Sequence, residues 1–473
     1  MVLATDCRIG QLEFEGVRGR RVEGAFDAGR TSTDGGLLLL REVEQRQRLL
    51  RRFSGCFVDH REPKKIEHTV EDLVAQRVYA LCCGYEDLND HDALRDDVLL
   101  AVAVGKRDLT GEERELRRDR GHALAGKSTL NRLELTPADA TADARYKKVV
   151  YDGEAIDRLF VDVFLEAHRT PPQTIILDLD ATDDPLHGNQ EGRFFHGYYR
   201  CYCYLPLYIF CDDFLLAARL RKSDIDGSEG ALEEVKRITA QIRRRWPKVR
   251  IILRADSGFA RDALMAWCES EGIAYVFGLA RNKRLEEILQ PEMDVVRREH
   301  EDTHQPARCF KDFRYSTLQT WARERRVVGK AEQLPGKANP RFVVTSLDAA
   351  EYPAQALYEK LYCARGEMEN RIKEQQLGLF ADRTSTESMR GNQLRLYFSS
   401  IAYVLMNELR RLGLQGTAMA QAQVDTIRVR LLKVAATVKL SVRRVLVSLS
   451  SVFPLQEVYA RALAAIRAGP TMA

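Results

Sequence analysis

The spacing of apolar positions changes character along the chain. Through about residue 165 it is helical: KIEHTVEDLVAQRVYALCCGY repeats apolar residues every three to four positions, and LAGKSTLNRLE sets small and hydroxyl residues ahead of a Leu-Arg-Leu helix start. One short strand is expected near Gln11–Val17. From Thr174 the rhythm becomes that of strands. TIILDLD and two longer runs, in YYRCYCYLPLYIFCDD and FLLAARLRKS, precede an amphipathic helix with Leu232, Val235, Ile238 and Ile242 on one face. A strand VRIILRAD, a helix from about Ala260 and a strand AYVFGLA follow.

This β-β-β-α-β-α-β series is the order of a ribonuclease H-like core, so the predicted fold class is α/β. The core is expected in two parts, residues 166–283 and 341–412, because 113 residues separate Asp256 from Glu369, far more than a connection needs. Between them, residues 284–340 have their own aromatic and basic content, including Phe310, Phe313, Tyr315, Trp321 and Arg323, and are expected to form a β-rich insertion. Residues 1–165 make a mainly helical N-terminal region, either a DNA-binding module of helix-turn-helix type or a bundle packed on the core. Residues 413–473 make a basic helical C-terminal region.

Three acids stand in settings suited to one site. Asp180 ends TIILDLD, Asp256 ends VRIILRAD, and Glu369 lies in the helical stretch LYCARGEMENRIKE. Carboxylates at the carboxyl ends of two strands gather where open α/β sheets bind ligands, and together with a helical third they suit hard divalent cations, which take oxygen ligands. Strand alternation puts Asp178 and Asp180 on the same face, so either could serve. A lone strand-end Asp, like Asp183 and Asp184 in the following turn, more often serves the local backbone; the company of the other two acids reverses that reading. On a regular helix Tyr362, Arg365, Glu369 and Lys373 fall within an arc of about 80°, beside an apolar arc of Leu357, Leu361, Ala364, Met368 and Ile372. The spacing of Glu369 and Lys373 alone would describe an ordinary surface ion pair.

At these residues the chain resembles the DDE transposases of bacterial insertion sequences, in the group with a Tyr-x2-Arg-x3-Glu signature and most closely the insertion sequence 1380 family. Tyr362, Arg365 and Glu369 fit that signature, and the Asp-x-Thr at Asp180-Ala181-Thr182 selects Asp180 over Asp178. The resemblance runs from about Asp59 to about Arg411, through CYCYLPLYIFCDDFLLAARLRKSD, RADSGFA, YVFGLARN and ENRIKE, and members of the group carry an insertion where residues 284–340 lie. One position departs. Where the broader signature has a Lys seven residues after the Glu, this chain has Gln376, and Lys373 could take over a phosphate contact.

The resemblance implies Asp180, Asp256 and Glu369 as catalytic residues and as ligands of two Mg²⁺ ions, with Mn²⁺ able to substitute. Tyr362, Arg365 and Lys373 would touch DNA, Arg365 through its bidentate fork. An aromatic that stacks an extruded base is implied at the start of the strand before the Tyr-Arg-Glu helix. Here that strand is RFVVTS and the matching position is Arg341, which leaves Arg341, Phe342 and, from the insertion, Trp321 as candidates. The implied partners are double-stranded DNA, as terminal inverted repeats and as target, and a second copy of the chain, because two ends are handled together. The implied reaction is metal-dependent cleavage and strand transfer in cut-and-paste transposition. A ribonuclease H-fold nuclease or resolvase and a non-catalytic DNA-binding repressor are the alternatives.

Composition changes this picture little. A chain of 473 residues, 45% apolar and 30% charged, is ordinary for a globular protein of several units. No run approaches the roughly twenty apolar residues of a membrane span, and MVLATDCRIG lacks the plan of a signal peptide, so the expected location is cytoplasmic, and the resemblance implies a bacterial cytoplasm and association with the nucleoid. The ten cysteines show no metal or disulfide spacing and read as thiols. Charge matters more. The net charge is only +4, yet residues 407–473 hold ten Lys or Arg against three acids, which points to a polyanion contact or, equally, to a solvated helical face.

Overall fold

The Val-, Ile- and Leu-rich runs from Thr174 onward join one nine-stranded mixed sheet in the computed structural model, which describes residues 11–469. Its strands are β1 (Thr174–Ala181), β2 (Leu207–Cys211), β3 (Phe214–Arg219), β4 (Arg250–Ala255), β5 (Ala274–Leu279), β6 (Ala307–Tyr315), β7 (Arg325–Leu334), β8 (Lys337–Ala338) and β9 (Arg341–Thr345). Their order is β3-β2-β1-β4-β5-β9-β7-β6, with β8 on β7. β4 pairs parallel with both β1 and β5, and every other pairing is antiparallel.

Alternation along the strands sorts the two faces. Leu177, Leu179, Leu253 and Ala255 pack against α1 (Gly153–Ala167), α2 (Ala231–Arg245) and α3 (Asp262–Ser270), where Phe164, Ile238 and Met265 complete the core. On the other face Ile252, Val276, Val328 and Val343 meet Leu357, Tyr358 and Leu361. Each fully buried Leu or Ile contributes about 2 kcal/mol, so this second layer fixes the segment leading to Glu369 on the sheet. The even-numbered residues of β1, Asp178 and Asp180, belong to that same side.

The sheet lies in one of two compact units, formed by Arg51–Pro63 and Arg132–Asn407. The other comprises the chain up to Leu50, Lys64–Asn131 and everything from Glu408 on. Among the described residues no helix is long and apolar enough to cross a membrane.

Three expectations need correction. YYRCYCYLPLYIFCDD is not one strand: Pro206, which has no N–H for a ladder, separates Cys201–Tyr204 from β2. Cys201–Tyr204 pairs instead with Phe194–His196 in a hairpin, and with Asp184–Pro185. Residues 284–340, expected to be β-rich, hold a long helix as well as three strands. They begin in the 21-residue helix α4 (Lys283–Thr303), capped by the Asn282 side chain, and its stripe of Leu285, Leu289, Met293 and Val296 packs into the main core. β6 and β7 then extend the central sheet. Their charges disguised this in sequence, because β7 is buried over eight of its ten residues yet contains Arg325, Arg326, Lys330 and Glu332. Each is neutralised in place, Arg325 by Asp262 and Glu269, Arg326 by Asp312, and Lys330 by Glu332.

The C-terminal region is not simply helical either. Ala436–Ser441 and Arg444–Leu449 form a hairpin that adds Thr31–Ser32 as a third strand, as the alternation in ATVKLS permits, and only then does the helix Gln456–Ala468 follow. Six of the ten basic residues from 407 on are engaged within this unit, Arg461 through the Gly416 carbonyl. Arg428 donates to the carbonyls of Leu81 and Cys82, Arg410 to that of Ala422, and Arg411, Lys433 and Arg467 pair with Glu408, Asp34 and Glu42. The local excess of charge is therefore in good part structural.

Candidate active site

The parallel register of β1 and β4 sets Leu179 opposite Ala255, so the next residues, Asp180 and Asp256, emerge side by side at the carboxyl ends of neighbouring strands. Asp180 faces Tyr208 across the β1–β2 pair. Asp256 ends its strand because its carboxylate accepts the Gly258 N–H at 2.8 Å and caps the short turn Ser257–Phe259.

Glu369 arrives on a segment that is not one uniform helix. A helical turn at Ala354–Ala356 passes into π winding over Leu357–Tyr362, a 3₁₀ turn over Cys363–Arg365, and then α5 (Gly366–Leu379). The single arc expected for Tyr362, Arg365, Glu369 and Lys373 assumed a constant step per residue, which these changes of winding break. Such interruptions are frequent at functional sites.

Arg365 joins two of the acids. Its Nη1 lies 3.5 Å from Asp180 Oδ2 and its Nη2 2.8 Å from Glu369 Oε1. Burial, against the pull of Arg365 and with the charges of Asp256 and Glu369 adding to it, raises the Asp180 carboxyl to about 7. Burial opposes the charge on Arg365, but Asp180, Tyr362, Glu369 and Asp256 outweigh it and hold the guanidinium above its ordinary value. Burial and then, against the pull of Arg365, the charge of Asp256 raise the Tyr362 phenol. Asp180, Asp256, Glu369, Arg365 and Tyr362 thus act on one another electrostatically.

Gly278, near the end of β5, makes room for this group. A Cβ there would lie 2.6 Å from the Tyr362 hydroxyl and 2.8 Å from the Ser257 nitrogen. Sequence reasoning passed it over, although a glycine inside an apolar strand signals close backbone approach. Gly278→Ala is expected to destabilise the chain by about 1–3 kcal/mol and to lower any activity of this site about tenfold or more, because the methyl must displace Tyr362 or the peptide after Asp256. Adding Tyr362→Phe should restore part of the stability in chemical denaturation, since it removes the nearest atom. Full activity in Gly278→Ala would show that the close approach is unimportant.

The geometry separates Asp178 from Asp180. Both Asp178 oxygens accept from Arg254, at 2.5 Å from Nε and 2.7 Å from Nη2, and both residues are buried. The third guanidinium nitrogen donates to the Leu361 carbonyl at 2.7 Å. Asp178 is therefore occupied, and Arg254 ties β1 and β4 to the segment just ahead of Tyr362. Sequence reasoning missed Arg254; a charge inside the apolar run VRIILRAD was the available signal.

The remaining candidates disperse. Lys373 is exposed on α5, one turn beyond Glu369. Gln376 donates to the Asp183 carbonyl and to Asp184 Oδ1 at 2.8 Å, so this position braces the turn after β1. Phe342 is 3% exposed in the core, and Trp321 is half-buried, edge-on to Tyr315 with the Arg325 guanidinium 5.4 Å above its ring. The Phe342 ring is taken up by the core, while Trp321 packs on the sheet extension and stays partly exposed. Arg341 is exposed at the start of β9, hydrogen-bonded to Asn339, and its charge reaches Tyr358 and Tyr362.

Among the described residues no three His, Cys, Asp or Glu side chains stand grouped to hold a metal, and Arg365 bridges Asp180 to Glu369. In kind, the donors still fit. Asp180, Asp256 and Glu369 offer only carboxylate oxygens, and the raised Asp180 carboxyl reflects burial and like charge that a hard divalent cation would relieve.

A mixed α/β sheet with acids at adjoining strand ends and a Tyr-Arg-Glu segment packed beside them is the arrangement of a DDE transposase. Residues 14–471 match the family described as transposase DDE domain group 1, and the chain belongs to that family. Such transposases bind DNA and are generally dependent on divalent metals. Among solved structures, the chain is similar to the piggyBac transposase in a synaptic complex with hairpin DNA, at 13% identity over 85% of this chain and 81% of that one, with a TM-score of 0.42. No curated protein matches it.

Proposed function

We propose that this protein is the transposase of a bacterial insertion sequence, of the insertion sequence 1380 family, working as a homodimer on the nucleoid in the cytoplasm. It binds terminal inverted repeats, cuts at the transposon ends and joins the freed 3′-hydroxyls to target DNA by cut-and-paste transposition. One observation carries the reading: Asp180 and Asp256 adjoin at the carboxyl ends of neighbouring parallel strands, with Arg365 bridging Asp180 to Glu369. The order β3-β2-β1-β4-β5 supports a ribonuclease H-like core.

Asp180, Asp256 and Glu369 would hold two Mg²⁺ ions, or Mn²⁺ in their place, which supply Lewis-acid activation of a water or 3′-hydroxyl and stabilise the leaving 3′-oxygen. Arg365 then exchanges its carboxylate partners for phosphate oxygens, which its planar fork binds bidentately. Tyr362, with its phenol raised, stays protonated and donates a hydrogen bond to the DNA backbone. Lys373 adds a point charge one helical turn along, and Arg341 a second contact beside Tyr362. An assay with the native transposon end, Mg²⁺ and a target plasmid tests this: cut and joined products support it, cutting without joining indicates a nuclease, and neither product overturns it.

The metal assignment has a readout without DNA. A carboxyl held near 7 in the fold, against about 3.9 when unfolded, binds more protons in the native state between those values. Its contribution to stability is thus full below about 4 and lost as pH rises through about 7. A cation that favours the ionised form reverses that loss. Added Mg²⁺ is expected to raise the Tm of the DNA-free protein by a few degrees more at about pH 8 than at about pH 5.5, and Asp180→Asn should abolish the difference. Equal rises at both pH values in calorimetry would remove Asp180 from the metal site.

A further inference from the structure

The hairpin of Phe194–His196 and Cys201–Tyr204 buries Tyr204 but leaves most of its other rings open. Tyr198 at its tip is 84% exposed, and Phe194, Phe195 and Tyr202 are 48%, 49% and 44% exposed. These rings are ordered against one another. Phe195 sits opposite Tyr202 in register with its ring edge-on at 5.4 Å, and Tyr198 is edge-on to Tyr199 at 5.1 Å. The Arg193 guanidinium lies 4.0 Å above the Tyr202 ring. From Arg193 to Tyr204 the chain has six Phe or Tyr and two Arg, and no Asp or Glu. An apolar face for a protein partner would not call for that exclusion of acids, whereas flat rings interleaved with guanidinium groups match stacked bases and phosphates.

The hairpin also adjoins the acidic site, because Cys203 and Tyr204 pair with Pro185 and Asp184, in the turn just past Asp180. The Tyr199 phenol is pushed up to about 12, first by burial and then by the charges of Asp183, Asp180, Tyr198 and Asp256. Tyr199 is held there by its ring contact with His196 at 4.9 Å, and the Arg200 N–H closes the turn on the His196 carbonyl at 2.8 Å. A nucleotide strand whose phosphate reaches Asp180 would pass these rings next.

We propose that the 194–204 hairpin is a stacking surface for unpaired nucleotides flanking the scissile phosphate, with Tyr198 and the Phe195–Tyr202 pair taking base faces and Arg193 and Arg200 the phosphates. This rests on the transposase reading above. Duplex DNA offers no base faces to stack, so the surface selects DNA that is frayed, nicked or already cut beside the site.

The full chain, held in EDTA so that nothing is cleaved, is titrated into a blunt duplex and into the same duplex ending in a short unpaired oligo-dT arm. Wild type is expected to bind the forked DNA about tenfold tighter or more. Tyr198→Ala, alone and with Phe195→Ala, should lose about fivefold or more of affinity for the fork while leaving the blunt duplex unchanged, and Tyr198→Phe should retain it. If wild type binds the duplex but not the fork preferentially, or if the Ala variants keep the preference, the stacking surface is refuted while the transposase reading stands. If wild type binds neither DNA, both fall. If the Ala variants instead lower the sedimentation mass of the DNA-free protein and leave fork binding intact, the face is a contact between copies and the proposal is wrong.

Discussion

Asp180→Asn, Asp256→Asn and Glu369→Gln are each expected to cut strand cleavage and joining by about 10³-fold or more while leaving binding to the transposon end within a few-fold of wild type. Each change removes one carboxylate charge from the group proposed above to hold divalent cations, and such stabilisation of an in-line displacement amounts to several kcal/mol. It removes no DNA-facing surface. Asp180→Asn has a second signature. Because Asp180 is crowded by Asp256 and Glu369 and by its own burial, the metal-free Asn variant should be at least as stable as wild type by calorimetry. An Asp180→Asn protein that still cleaves, beside an inert Asp178→Asn protein, would transfer the catalytic assignment to Asp178.

Arg254 is expected to have the largest effect outside the acids. Arg254→Leu leaves Asp178 buried without its guanidinium partner, which should cost about 3–5 kcal/mol and lower the denaturation midpoint. The double variant Asp178→Leu with Arg254→Leu replaces a buried ion pair by apolar side chains and should recover most of that stability. Activity should not recover. The bond from Arg254 to the Leu361 carbonyl is gone in both variants, and the segment carrying Tyr362, Arg365 and Glu369 loses its polar tether to β4. Displacement by about 1 Å at a site of this kind costs on the order of a hundredfold in rate, read as a fall in kcat with end binding preserved. A double variant as active as wild type would reduce Arg254 to a packing residue.

Much of the catalytic unit was legible because its signals are local. β1, β4 and β5 are apolar runs of strand length, and acids at their ends mark themselves. What escaped detection depended on partners distant in sequence. Arg254 and Asp178 are 76 residues apart, and nothing within either strand shows that they neutralise each other rather than face a ligand. The burial of β7 was not legible because most of its compensating acids lie on other elements, among them Asp312 and Glu269. The π winding at Leu357–Tyr362 has no periodicity of its own; it follows from how Leu357, Tyr358 and Leu361 seat on the sheet. Pro206 was the exception, a strand break written plainly in one residue.

The division of the chain into units bears on how the protein is made. The unit formed by Arg51–Pro63 and Arg132–Asn407 is complete in sequence before the last stretch of chain has been synthesised. The other begins at the start of the chain yet cannot close until its end. The Gly35 and Gly36 N–H groups bond to the carbonyls of Val434 and Leu432, Thr31–Ser32 pairs with Ala436–Ser441, and Leu37–Gln47 packs on Gln456–Ala468. On a ribosome, where domains fold as they emerge, the unit that holds the sheet should become protease-resistant on chains stalled well past Asn407, while the segments before Leu50 stay cleavable until Gln456–Ala468 has emerged. The sheet-bearing unit would thus be folded while its companion, which joins the chain up to Leu50 to the stretch from Glu408 on, is still waiting for its second half.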